Sequence, residues 1–455
     1  MLTLKITPIP SLPTTLLSKT PLLTRHISTA LESTSSRSQR KEGDISAVFV
    51  SLSGVRPPPL PEQQLAIENE LVKQKAPAII PQINFEDLGK APEEFMREMK
   101  WRGVGVIKGV VPESEARGYK EETEEETGFP ANNPAVFELC WAPSQVKARA
   151  RPNILKAQSW LMSKFWHSSN PDALISLSNP LTYADRIRIR QPGDSAFTLG
   201  PHVDGGSVEC WEPNGYGLGD VYSKIFQGKW EEYDPWEASC RIPAVSDLYQ
   251  GSGSCSMYRC FQGWLSLSHT GPREGTLMVN PLNKLSTAYF LLRPFFDPVA
   301  AGKGLKDGKG WRLKSVVEMD SVLQGANPGN GQELNDVDHP NLELADTMVH
   351  IPKIEPGDFV VWHCDSIHAV DKEHTGKGDS SVIYIGVNPT TEANAKYLLS
   401  QRENFLVETI EFVAEKGGED GLRSMGLAKL EKMDSDQTKG AEEMIERANQ
   451  ILGFA

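Results

Sequence analysis

The sequence predicts an α+β protein, a β-rich core flanked by N- and C-terminal helices. Three observations predict it. Asp185-Arg186-Ile187-Arg188-Ile189-Arg190-Gln191 alternates strictly between isoleucine and charge, the period of a strand with two unlike faces. Short apolar runs bounded by Gly, Pro and Asn continue from there to about residue 387. Helical patterns stand on both sides, before residue 180 and after residue 393.

The 455 residues are 39% hydrophobic and 8% aromatic, enough for one large packed core with additions. Lys and Arg number 47 against 60 Asp and Glu, a formal charge of −13, so no nucleic-acid footprint is expected. That balance still permits a local basic pocket for an anion. No apolar run approaches a membrane span. None of the 6 Cys forms a C-x-x-C pair, which argues against structural zinc and for reduced thiols in an intracellular compartment.

Residues 1–61 read as a disordered extension. Residues 1–31 hold Lys5, Lys19 and Arg25 with no acid and many Ser, Thr and Leu, the composition of a transit peptide. Pro8, Pro10 and Pro13 interrupt an amphipathic helix there. Mitochondrial and cytoplasmic locations both remain open.

Residues 62–180 form the helical N-terminal part of the main domain. Helices are expected over 62–74, 92–101 (Pro at its start), 112–126 and 144–167, with an extended segment at 79–83 and a buried strand at 104–107. The core spans 181–407. Its first strand carries Arg186, Arg188 and Arg190 on one face, to line a polar interior and bind a carboxylate, or else to face solvent. Further strands are expected within 255–267 and at 277–279, 289–292, 359–362 and 381–387. Two insertions interrupt the core. Residues 209–243 hold seven Trp, Tyr and Phe that form either a substrate wall or a satellite core. Residues 297–348 are rich in Gly and Asn and read as a functional loop or as disorder. A helix over 393–402 precedes a charged, peripheral helical tail over 408–455.

The chemistry concentrates in Gly200-Pro201-His202-Val203-Asp204-Gly205-Gly206. On a strand, side chains two apart share a face, so His202 and Asp204 can reach one ion. An imidazole and a carboxylate so placed make half of the 2-His-1-carboxylate triad of non-haem Fe(II) oxygenases. The missing ligand must come from a neighbouring strand. His368 is the best placed of the 9 His, after the turn Pro356-Gly357-Asp358 and the run Phe359-Val360-Val361-Trp362-His363-Cys364-Asp365-Ser366-Ile367. A rival set, His363, Asp365 and His368, lies within one short segment and would suit a zinc hydrolase.

The stretches 183–188, 200–206, 233–236, 261–264 and 362–368 resemble the YbiU-like family, a domain of unknown function. That family is similar to Fe(II)/2-oxoglutarate-dependent oxygenases of the phytanoyl-CoA hydroxylase type, and the resemblance covers residues 81–402. It implies a double-stranded β-helix core, the jelly-roll or cupin-like fold. It implies His202, Asp204 and His368 as metal ligands, with Fe(II) and 2-oxoglutarate as cofactors. The oxygenase pattern has an Arg about ten residues beyond the second His, to hold the far carboxylate of 2-oxoglutarate. Residues 371–381 contain none. The clamp falls to Arg186, Arg188 or Arg190, or to Lys377 with Ser381. Lys does not reproduce the bidentate fork of Arg, which leaves a second expectation: a non-catalytic or cupin-like metal-binding protein that does not use 2-oxoglutarate. As an oxygenase, the chain would hydroxylate or desaturate a small organic molecule. His363 and Asp365 are candidates to orient the ligand imidazoles. No membrane partner is expected, and neither substrate nor oligomeric state is legible.

Overall fold

The computed structural model describes residues 61–124, 136–137, 139–195, 198–251, 254–299, 310–403, 405, 407–433, 436 and 438–454. The transit-peptide expectation therefore lies outside the described residues. The fold is mixed α+β with several sheets.

The larger sheet has seven strands, in the order Gln82–Asn84, Val104–Lys108, Phe359–His363, Phe261–Ser266, Ser380–Tyr384, Ile187–Arg190 and Val136–Phe137. The first pair is parallel and the rest are antiparallel. The smaller sheet has five antiparallel strands, in the order Gln332–Glu333, His202–Val203, His368–Val370, Leu277–Val279 and Val349–His350. From residue 187 the chain passes back and forth between the sheets, joining the smaller one at both 277–279 and 349–350 before it returns to the larger. Strands 187–190, 261–266, 359–363 and 380–384 join the larger sheet; 202–203, 277–279, 349–350 and 368–370 join the smaller.

Strand alternation divides the core. Phe359 and Val361 face one way with Ile187, Ile189, Phe261, Leu265 and Ile383, and pack on Ile154, Leu161 and Phe165 of the helix Pro152–Phe165. Val360, Trp362 and Trp264 face the other way and share a cluster with Val203, Leu277 and Val279 of the smaller sheet. The period of two thus buries both faces of the larger sheet at once.

Several expectations change. The helix expected over 144–167 is two, Pro143–Ala150 and Pro152–Phe165. Arg151 precedes a proline and takes φ −60°, ψ 123°, the extended geometry that position favours. Residues 289–292, expected as a strand, end the helix Asn283–Leu292, every residue of which is buried except Lys284. A wholly buried helix shows no amphipathic period, so the short apolar run read as β. The 209–243 insertion is core: Trp211, Tyr216, Tyr222, Trp230 and Tyr233 join the cluster between the sheets, and Trp236 joins the helix side. Gln332–Glu333, inside the second insertion, extends the smaller sheet beside His202–Val203. The C-terminal tail buries Leu430, Met444, Ile445, Ala448 and Leu452 against Leu181, Ala395 and Leu398. Its helix Lys439–Ile451 is capped by the Thr438 hydroxyl, which accepts from the Ala441 N–H.

Candidate metal centre

His202 and His368 are directly opposed residues on neighbouring antiparallel strands. Side chains at such a position stand within about 5 Å of each other, and the two ring centroids lie 4.2 Å apart. Asp204 follows two residues after His202, where the strand has ended. Gly206, with φ +92°, carries the chain away through a conformation that favours glycine. The Asp204 carboxylate returns between the rings. Its Oδ1 is 3.4 Å from His202 Nε2 and its Oδ2 is 3.2 Å from His368 Nε2. Ligand atoms of the three residues all lie within 4.8 Å of one another.

The far side of each imidazole is fixed. His202 Nδ1–H donates to the Gly200 carbonyl at 2.7 Å, and His368 Nδ1–H donates to the Ser366 carbonyl at 3.1 Å. A ring whose Nδ1 keeps the proton presents an Nε2 lone pair, the form that binds a metal. Burial, then the neighbouring His368, lowers the His202 pKa and favours its neutral ring. Desolvation would raise the Asp204 carboxyl. When no cation is bound, protons on the ring nitrogens that face it, His368 first and then His202, hold it with Arg259 well below the usual carboxylate range, and a bound cation would take the place of those protons. Two neutral nitrogens and one carboxylate converging on a point fit a divalent transition metal.

Two residues without an expected role complete the support. Gln262 Nε2–H donates to Asp204 Oδ2 at 3.0 Å, and Trp362 Nε1–H donates to Gln262 Oε1. Strand register places Trp362 opposite Gln262. A lone amide in the otherwise apolar run Phe261-Gln262-Gly263-Trp264-Leu265 was the signal for it.

The triad opens on a cavity of about 600 Å³ between the sheets, walled in part by Trp264, Leu277, Val382 and Tyr384. Among the expected arginines, Arg186 and Arg188 line it. Arg186 is exposed beside Asp185, while Arg188 is buried at 5% exposure and paired across the sheet with Val382. Arg190 is fully buried and held elsewhere: its Nε donates to Asp194 Oδ2 and its Nη1 to the Asp371 carbonyl, both at 2.8 Å. Lys377 is exposed outside the cavity wall. Ser381 pairs with Ile189 on the opposite face from Ser380 and Val382, and its hydroxyl donates to Asp379.

The rival set does not assemble, because His368 turns to Asp204. Asp365 instead takes a bidentate bond from Arg241, at 3.0 and 2.5 Å, and bonds from the Tyr222 and Tyr233 hydroxyls at 3.0 and 2.9 Å. His363 Nε2–H donates to the Pro235 carbonyl at 2.8 Å, and the ring stacks on Trp166. His363, Cys364 and Asp365 do cluster, but the carboxylate oxygens are occupied. Neither His363 nor Asp365 orients the ligand imidazoles; backbone carbonyls do.

Known proteins agree with this architecture. The Candida albicans product of GlcNAc-inducible gene 2 is 31% identical, with a TM-score of 0.76 over 91% of this chain and 96% of that one. A candidate oxidoreductase from Salmonella typhimurium LT2 is 26% identical, with a TM-score of 0.63 over 90% and 93%. The uncharacterized protein YbiU of Escherichia coli K12 is 30% identical over 350 residues, 72% of this chain and 77% of that protein. With residues 41–444 matching its pattern, the chain belongs to the Gig2-like family.

Proposed function

We propose that this protein is an Fe(II)- and 2-oxoglutarate-dependent oxygenase acting on a small organic molecule. The observation that carries the reading is the convergence of His202 Nε2, His368 Nε2 and the Asp204 carboxylate at the wall of a 600 Å³ cavity. Four strands in each of two sheets, with the chain crossing repeatedly between them, support a double-stranded β-helix as the scaffold. Fe(II) held there would couple decarboxylation of 2-oxoglutarate, to succinate and CO2, with oxidation of a substrate C–H bond by O2.

The chain's own groups supply the rest. His202, Asp204 and His368 would hold the ion, and the cavity beside them has room for further ligands. Gln262 holds Asp204 Oδ2, which favours ligation through one oxygen. Arg188, buried in the same wall, is the residue we assign to the far carboxylate of 2-oxoglutarate, in place of the arginine absent from 371–381. The apolar wall of Trp264, Leu277 and Val382 limits water around the reacting bond.

The test needs no substrate. Fe(II) is added to the apoprotein without oxygen, then 2-oxoglutarate, and the visible spectrum is recorded. A metal-to-ligand charge-transfer band that is absent in Asp204→Ala is the expected result. Iron bound without a band would favour a metal-binding protein that does not use 2-oxoglutarate, a reading for which the missing downstream arginine speaks.

A further inference from the structure

Three arginines line the cavity, and the proposed chemistry uses one. Arg186 stands beside Asp185, and Arg188 is assigned to the co-substrate. Arg259 has no such occupation. It lies just before the strand Phe261–Ser266, on the cavity wall with the triad, and is half-buried. Among the described residues its one hydrogen bond is a long one, 3.5 Å from Nη1 to the Tyr183 hydroxyl. The proton of that hydroxyl is committed to Asp185, 2.8 Å away. No carboxylate of the described residues lies within 4.0 Å of the guanidinium. Burial works against its charge, and the Asp204 carboxylate on the same wall favours it.

A guanidinium offers five N–H donors in a rigid fork. The remaining donors of Arg259 stand at the cavity wall, where a ligand can supply acceptors. Planar oxyanions fit that fork, in a bidentate arrangement. From this geometry we infer that the primary substrate carries a carboxylate, which Arg259 holds while the apolar body of the molecule lies along Trp264, Leu277 and Val382. This deepens the oxygenase reading and rests on it for the fate of the substrate, not for its binding.

The test separates the two. Phenylacetate and its neutral isostere phenylacetamide are titrated into the metal-free protein, with binding followed by saturation-transfer NMR. The acid is expected to bind about tenfold tighter than the amide, the worth of a charge-assisted hydrogen-bonded pair. Arg259→Gln is expected to remove that preference, and Arg259→Lys to keep part of it. In the Fe(II) protein, Arg259→Gln is expected to keep the 2-oxoglutarate band, which also certifies the fold. Equal binding of acid and amide, or binding of neither, overturns the inference. So does a loss of 2-oxoglutarate affinity in Arg259→Gln, which would make Arg259 the co-substrate clamp. A missing band in the native protein would instead sink the oxygenase reading and leave the acid-against-amide comparison standing.

Discussion

Gln262 shows how much a single buried amide can decide. Its carbonyl accepts from Trp362 and its amino group donates to Asp204, so it cannot turn over without losing both bonds. Gln262→Leu keeps the volume and removes the donor. Supports of this kind are worth about ten- to a hundredfold in metal affinity, and a loss of that size is expected on titrating Fe(II) without oxygen. An unchanged affinity would mean that the imidazoles alone fix Asp204. Replacing His202 with Ala removes a ligand and is expected to abolish iron binding with the fold intact, as followed by circular dichroism. Arg188→Met leaves the ligands untouched. It is expected to raise the 2-oxoglutarate midpoint by about tenfold or more, since a charged hydrogen bond is worth about 1.5–3 kcal/mol. Iron affinity should not change. A normal midpoint would return the clamp to Arg186 or Arg259.

At the scale of elements, the segment joining Phe359–His363 to His368–Val370 carries the second histidine into place. Asp365 anchors that segment, held by Arg241, Tyr222 and Tyr233 in a setting where both charged partners are almost wholly buried. Burial raises the Asp365 carboxyl, and Arg241 more than offsets it, so the group stays ionised well below the usual range. Asp365→Asn strands the Arg241 charge, and breaking a buried pair from one side costs about 3–5 kcal/mol. The denaturation midpoint should fall accordingly, and iron affinity with it as the His368 segment loosens. Removing both charges, as Arg241→Met with Asp365→Leu, is expected to recover much of the stability. If the double variant is no better than the single one, the network matters for more than charge balance. The aromatic insertion belongs to this same core, which is why seven rings in sequence do not make a substrate wall.

Across the whole molecule, among the described residues, His339, His363 and His374 are buried histidines outside the metal site, and burial lowers the pKa of all three. Burial, then Arg293, lowers His339 to about 4. Burial lowers His363 to about 4 as well, with Asp365 opposing and Arg241 assisting. Both values lie below the unfolded value of about 6.5. The folded state therefore binds fewer protons than the unfolded one between these limits, and stability falls as pH drops. It is complete above about pH 6.5 and declines toward pH 4, with a slope of about 1.4 kcal/mol per unit for each group. Urea midpoints compared at pH 7.5 and pH 5 measure it. His339→Phe should flatten the profile, and a flat native profile would show that these rings are not kept neutral. Among the described residues no helix is long and apolar enough to cross a membrane.

The sequence by itself determined what local rules can carry. The period of two at residues 187–190 and the short apolar run at 359–362 marked strands, and the His-x-Asp spacing marked a ligand pair, because all depend on neighbours in the chain. The identity of the third histidine was legible as a choice between strands. Its place opposite His202 is a matter of sheet register, which is set by turns and by which faces are buried. Three arginines with identical spacing were indistinguishable in sequence. Only packing separates Arg188 in the cavity wall from Arg190, clasped by Asp194. Arg259 lay in plain view without a pattern, and Gln262 stood out only as an amide in an apolar run, since what they do depends on groups more than fifty residues away. The buried helix Asn283–Leu292 read as a strand for the related reason that full burial erases the periodic contrast from which an element is recognised.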